Sequence, residues 1–397
     1  MEKGTRSRVS ARQEDEAPAR ESAYACLLLG VVTVAWVVAF FAIQHFVVAP
    51  GQPVLRWDSG WYLNVAQFGY HFDGNIARSQ NVAFLPALPL LERAMLAIGL
   101  GAPLAVYVPV IGCALAGVAL LYRALTARFA PLWSAAACAL LIASPFSLYF
   151  LNGYSEPVYL ACLGAFFWAL WRRRDIALAA LFAGLGSAVR PYGLVLVFVW
   201  SANVAIQAHR EGRSARYIVQ RLLAYGPLCV AGFVLTSLFF YWQFGDLLLY
   251  RNIMVSWYVD IIPSRANGFG DHLITVWRMM GTIDFAHGIP STQLARIIFW
   301  SAPVVVACAA RRLPLAATLY AALLFAFIVV VAETGADLGR HLSTNVALPF
   351  GLLAILWPPT EAQPTRWRAT AIALAVIAAA AMQGWLAAGY FRGEWVS

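Results

Sequence analysis

The stretch AYACLLLGVVTVAWVVAFFAIQHFVVA, residues 23–49, together with PGQPVLRWDSGWY, residues 50–62, decides the fold. The first run contains no Asp, Glu, Lys or Arg and exceeds the roughly 20 apolar residues that carry a helix across bilayer hydrocarbon. Pro50, Gly51 and Pro53 then stop it. The second run is polar and aromatic, and it places Arg56-Trp57-Asp58 where the chain leaves the membrane.

The rest of the chain repeats that alternation. It has 397 residues, 61% hydrophobic and only 12% charged, whereas a soluble domain is about half apolar and a quarter charged. Further apolar runs predict spans at 104–122, 131–150, 156–171, 176–190, 191–208, 218–242, 291–309, 314–332, 343–358 and 369–389, about 11 transmembrane helices with the first. Residues 83–99 interrupt the series with Pro86, Pro89 and the pair Glu92-Arg93. They predict an amphipathic helix lying at the interface, with a short true span as the alternative. Residues 1–22 carry both charge signs without periodicity and read as a disordered cytoplasmic tail. Residues 390–397 form a short C-terminal tail. No signal peptide is expected, because the first apolar run is too long and no small-residue cleavage site comes after it.

Arginines set the expected orientation, since short cytoplasmic loops are enriched in them. With the N-terminus inside, Arg123 and Arg128, Arg172–Arg174, the cluster from Arg210 to Arg221, Arg311-Arg312, and Arg366 with Arg368 all face the cytosol. That agreement holds only if 83–99 does not cross. The opposite face then collects Asp58, Asp73, Glu156, Arg190, Asp260, Asp271, Asp284, Glu333, Asp337, Arg340 and His341. Its two large loops are 50–100 and 243–290. The net charge of +9 does not imply nucleic acid, because the arginines are dispersed over short loops. Six cysteines lie in apolar runs without a CxxC pair and read as small buried hydrophobes.

Four outward segments carry candidate chemistry. Asp58, beside Arg56 and among Trp57, Trp61 and Tyr62, is a carboxylate at the depth a base needs to meet a lipid-borne substrate. An aromatic belt with an incidental ion pair explains the same residues. Asn152-Gly153-Tyr154-Ser155-Glu156-Pro157 offers Tyr154 and Glu156, although a turn followed by an acidic first helical turn accounts for it equally. Arg190 stands in an apolar stretch where insertion costs about 2.5–3.5 kcal/mol. It therefore needs a carboxylate or a phosphate, or else it snorkels to the surface. The segment from Glu333 to His341 provides Arg340 and His341 for a phosphate. Its acids could take a divalent metal, without any recognisable ligand spacing, and a plain solvated loop is the remaining reading. No GxxxxGK[ST], GxGxxG or HExxH occurs.

Together these segments resemble a known family. RWDSGWYLNVAQFGY (56–70) is similar to an element near the start of GPI mannosyltransferase II and its bacterial relatives, the phosphatidylinositol-glycan class V family. AFLPALPLL, NGYSEPVY, SAVRPYGLVL and GRHLSTNVALPF resemble its later elements in the same order, over residues 56–350. The resemblance implies an all-α polytopic membrane protein of the GT-C glycosyltransferase superfamily, in a bacterial plasma membrane. It implies a polyprenyl-phosphate-mannose donor, a glycolipid or glycan acceptor, an extracytoplasmic site and no assured cofactor. Asp58 inherits the catalytic role; Arg56, Trp57, Trp61, Tyr62, Tyr154, Glu156, Arg190, Arg340 and His341 are candidate substrate contacts. Many relatives have His where this chain has Trp61. The rival readings are a transporter or flippase of lipid-linked sugars and a non-catalytic subunit of a larger synthase.

Overall fold

The structure is a computed structural model that describes residues 3–257, 290–331, 338–361 and 363–394. Asp260, Asp271, Asp284, Glu333 and Asp337, with most of the 243–290 loop, lie outside the described residues. The chain runs α1 Lys3–Val47, α2 Asp58–Phe68, α3 Ala87–Ala97, α4 Ala102–Leu125, α5 Pro131–Ala143, α6 Glu156–Trp168, α7 Ile176–Ser187, α8 Val195–Arg210, α9 Ala215–Phe244 and α10 Leu249–Ile253. It continues with α11 Pro290–Ala309, α12 Leu315–Val331, α13 Leu338–Ser343, α14 Ala347–Leu356 and α15 Arg366–Arg392. No strand occurs among the described residues.

Each of the eleven apolar segments holds a helix. Among the described residues, six helical stretches are long and apolar enough to cross a membrane: Glu21–Val47, Ala102–Leu125, Pro191–Arg210, Ala215–Phe244, Pro290–Ala309 and Arg366–Arg392. Four apolar helices are shorter, among them α5 and α7. Helix α1 begins at Lys3, inside the segment expected to be a disordered tail. The 83–99 segment resolves into a short 3-10 turn at Asn81–Ala83 and α3. At 11 residues α3 is only about 16 Å long, too short to cross. Its charged pair divides: Glu92 is fully buried, while Arg93 Nε donates to the Ala66 carbonyl at 2.9 Å. Burial pushes the Glu92 carboxyl up to about 9, so it is protonated at neutral pH.

Small residues let the helices approach closely, as packing between apolar helices requires. A Cβ on Gly117 of α4 would lie 2.9 Å from the Ala161 nitrogen of α6, and one on Gly164 would lie 2.7 Å from the Gly117 oxygen. Side-chain bonds then tie distant elements. Trp133 Nε1 in α5 donates to the carbonyl of Trp357, just beyond α14, at 2.9 Å. Helix ends have identifiable causes. The Asp175 carboxylate accepts from the Ala177 and Leu178 amides at 3.0 and 2.9 Å, capping α7. Arg174, left-handed at φ 53°, ends a π-helical turn, Ala169–Arg173, that prolongs α6.

Candidate active site

Asp58 opens α2 and Glu156 opens α6, so both carboxylates sit where helix dipoles favour negative charge. Arg190 precedes the 3-10 turn that leads into α8, and Arg340 lies in α13. These four residues, drawn from distant parts of the chain, converge. Arg340 Nη1 donates to Asp58 Oδ2 at 2.6 Å, and Arg340 Nε donates to Glu156 Oε1 at 2.9 Å. Arg190 Nη2 pairs with the same Glu156 oxygen. One planar guanidinium thus bridges two carboxylates, a geometry that arginine's fork suits.

Two acids and two arginines make a neutral cluster, and neutrality is what permits its burial. Glu156 has no exposed surface, whereas Asp58 keeps 14% of its side chain open. Tyr154 supports the cluster with its ring: the Arg340 guanidinium lies 4.6 Å from the centroid. Burial first, then the neighbouring Tyr390 and Asp58, pushes the Tyr154 phenol well above its usual value, so it remains protonated.

His341 comes directly after Arg340 and meets Tyr192 edge to face at 5.6 Å. Burial, reinforced by Arg190 and Arg340, pushes its imidazole down to about 3. His341 is therefore neutral at physiological pH and supplies no positive charge to a phosphate.

The aromatic loop contributes differently from residue to residue. Trp57 is 45% exposed and adopts φ 55°, a conformation that costs a non-glycine residue energy, immediately before Asp58. Trp61 stacks on Phe84 at 5.7 Å, and the Tyr62 hydroxyl is 2.8 Å from Ser155 Oγ, joining α2 to the turn before α6. The Arg56 guanidinium reaches the end of α15, where a Cβ on Gly393 would lie 2.8 Å from its Nη1. Its carbonyl accepts from Ser59 Oγ at 2.7 Å and from the Tyr390 hydroxyl at 3.1 Å.

Sequence reasoning did not single out Tyr390 or Tyr250, and it quoted Asn152 only as the start of the segment that carries Tyr154 and Glu156. The Tyr390 hydroxyl also reaches the Asn152 carbonyl, at 3.3 Å, a contact between residues 238 positions apart that no local pattern announces. Tyr250, in α10, is within electrostatic reach of Arg190, Tyr62 and Arg340; its only signal was the aromatic content of the 243–290 loop. The buried Asn152 Oδ1 and Nδ2, Glu156 Oε2 and His341 Nδ1 have no hydrogen-bond partner among the described residues. Among those residues no group of three His, Cys, Asp or Glu is placed to hold a metal ion.

Comparison with known proteins bears on this geometry. Residues 33–257 match a family model described as Mannosyltransferase (PIG-V). In fold the chain is similar to Archaeoglobus fulgidus oligosaccharyltransferase. Against its complex with zinc and sulfate the identity is 14% and the TM-score 0.52, covering 91% of this chain and 53% of that one. Against the apo form the values are 12% and 0.53, covering 93% and 56%. Against the form tethered to an NVT-sequon acceptor peptide they are 14% and 0.54, covering 94% and 55%. The chain thus spans about half the length of these structures, and the likeness establishes the GT-C membrane fold. No curated protein matches the sequence.

Proposed function

Because the chain belongs to the PIG-V mannosyltransferase family, we propose that it is an inverting glycosyltransferase that moves mannose from a polyprenyl-phosphate-mannose donor to a lipid-linked or cell-envelope glycan on the extracytoplasmic face, with Asp58 as general base. One observation carries the residue assignment. Asp58 is the partly open carboxylate of the cluster, 14% exposed where Glu156 is fully buried, and is held by Arg340 at 2.6 Å. A general base needs an ionised carboxylate within reach of the hydroxyl it deprotonates. The Arg340 guanidinium fixes the Asp58 carboxylate in place, and its open edge admits the acceptor.

In this reading the acceptor hydroxyl gives its proton to Asp58 while its oxygen bonds to the anomeric carbon. The bond from that carbon to the phosphate oxygen breaks, and the electron pair leaves with the polyprenyl phosphate. Attack from the opposite face converts a β-linked donor into an α-glycoside. Arg190 and Arg340 stabilise the departing phosphate. Both are already matched by carboxylates, so the phosphate competes with Glu156 and Asp58 for them. His341 assists only as a neutral hydrogen-bonding group, and the unpartnered atoms of Asn152 and Glu156 suit sugar hydroxyls. Exposed Trp57 offers a stacking face for a sugar or prenyl chain.

The test is transfer from polyprenyl-phosphate-[¹⁴C]mannose by purified protein in detergent. Labelled glycolipid is expected without a sealed compartment, which a transporter requires, and without added subunits. Asp58→Asn is expected to abolish transfer while the protein remains folded. Turnover near the unsubstituted level in that variant removes Asp58 as the base.

A further inference from the structure

A second polar assembly lies at the other end of the helices that carry Glu156 and Arg190. A cavity of about 390 Å³ opens where the turn after α6, the start of α7, the end of α8 and the start of α9 meet. Such a volume is within the usual range for a small-molecule site. From Glu156 to Arg173 the chain is continuous helix, so the cavity stands roughly 25 Å from the Asp58 cluster along α6. That is close to the ~30 Å of bilayer hydrocarbon, which puts the two assemblies at opposite membrane faces.

The walls select an anion. Arg173, Arg174 and Arg221 line the cavity. Arg221 lies 5.0 Å from the Tyr217 ring and 5.9 Å from the Tyr225 ring. These three residues recur every four positions and share one face of α9. The flanking rings hold the guanidinium ready, so less side-chain freedom is lost on binding. Two acids also line the cavity, but both are engaged. Asp175 caps α7, and Glu211 accepts from Gln207 at 3.0 Å and Arg213 at 3.4 Å. Among the described residues no carboxylate pairs with Arg173, Arg174 or Arg221.

The rim identifies the source of the anion. Beside these groups, Ile176, Ala177 and Val204 form an apolar wall of the cavity. An apolar wall next to a basic cavity at a membrane boundary fits an amphiphile, whose phosphate meets the arginines while its chains lie along the helix. We propose that this cavity binds the phosphate headgroup of an anionic lipid in the leaflet facing away from Asp58.

The experiment is native mass spectrometry of the purified full chain, incubated with equal phosphatidylglycerol and phosphatidylcholine. One phosphatidylglycerol is expected to be retained in preference. Arg221→Gln and the double variant Arg173→Gln/Arg174→Gln should each weaken retention by about tenfold, the loss of a charge-assisted contact. These arginines are exposed or half-exposed, and the tryptophan fluorescence melt verifies that each variant is folded. Arg123→Gln, at the same end of the bundle but outside the cavity, should change nothing. Equal loss in the Arg123 variant would mean a diffuse basic belt and overturn the proposal. Displacement of the lipid by millimolar inorganic phosphate would assign the cavity to a soluble anion and overturn it as well.

Discussion

Removing the Glu156 carboxylate tests the charge cluster most directly. Glu156 is fully buried and accepts from both Arg340 and Arg190. Glu156→Ala removes the acceptor that Arg340 and Arg190 share, and their side chains are only 6% and 13% exposed. Breaking a buried pair costs about 3–5 kcal/mol. Arg190 keeps some access to water, so the low end applies, about 3 kcal/mol, or roughly a hundredfold in the folded-to-unfolded ratio. Unfolding entropy of about 2.1 cal/mol/K per residue turns that into a drop of about 4 °C in melting temperature for a chain of this length. The assay is intrinsic tryptophan fluorescence of the detergent-solubilised protein during heating. Glu156→Ala and Arg190→Ala should also be non-additive by at least ~1 kcal/mol, because the second substitution removes a charge the first has orphaned. A melt within about 1 °C of the unsubstituted protein, together with simple additivity, would refute the view that this carboxylate neutralises the buried arginines.

Gly164→Ala should destabilise by about 1–3 kcal/mol, since its Cβ would meet the Gly117 oxygen at 2.7 Å, whereas Gly30→Ala, with nothing within 4 Å, should not; paired melts decide this. Glu92 has a folded-state pKa of about 9 against an ordinary 4.5, so the folded state holds a proton that the unfolded state releases between those values. Stability is therefore expected to fall as pH rises from about 4.5 to 9, and Glu92→Gln should flatten that slope and melt higher than the parent at about pH 8. Because His341 is neutral above about 3, the transfer rate should show no inflection attributable to it near the ordinary histidine value of about 6.5. His341→Gln should leave the shape of the pH profile unchanged, as initial rates between about pH 5 and 8 would reveal.

The helices were legible because membrane insertion writes itself into local composition. The apolar run at 218–242 falls inside Ala215–Phe244, and that at 104–122 inside Ala102–Leu125. Short-range punctuation was equally readable, as where Arg190-Pro191 separates α7 from α8. The partnerships within the cluster were not. Asp58 and Arg340 are 282 positions apart, and Glu156 and Arg340 are 184 apart. Each residue alone admits an ordinary explanation: a belt, a helix N-terminus, a snorkelling arginine. Only packing shows that Arg340 serves two acids. Glu92 was misleading for the opposite reason. Next to Arg93 it looked like half of a surface pair, but adjacent helical residues point in different directions, and α3 turns Glu92 inward.

The hydroxyl of Tyr390 reaches the carbonyls of both Arg56 and Asn152. The segments it joins deliver Asp58 and Tyr154, and it comes from the final described helix. During synthesis, the earlier helices enter the bilayer before this tyrosine leaves the ribosome. The nascent chain therefore carries its acid and its arginines before the link that ties the Arg56 carbonyl to the Asn152 carbonyl can form.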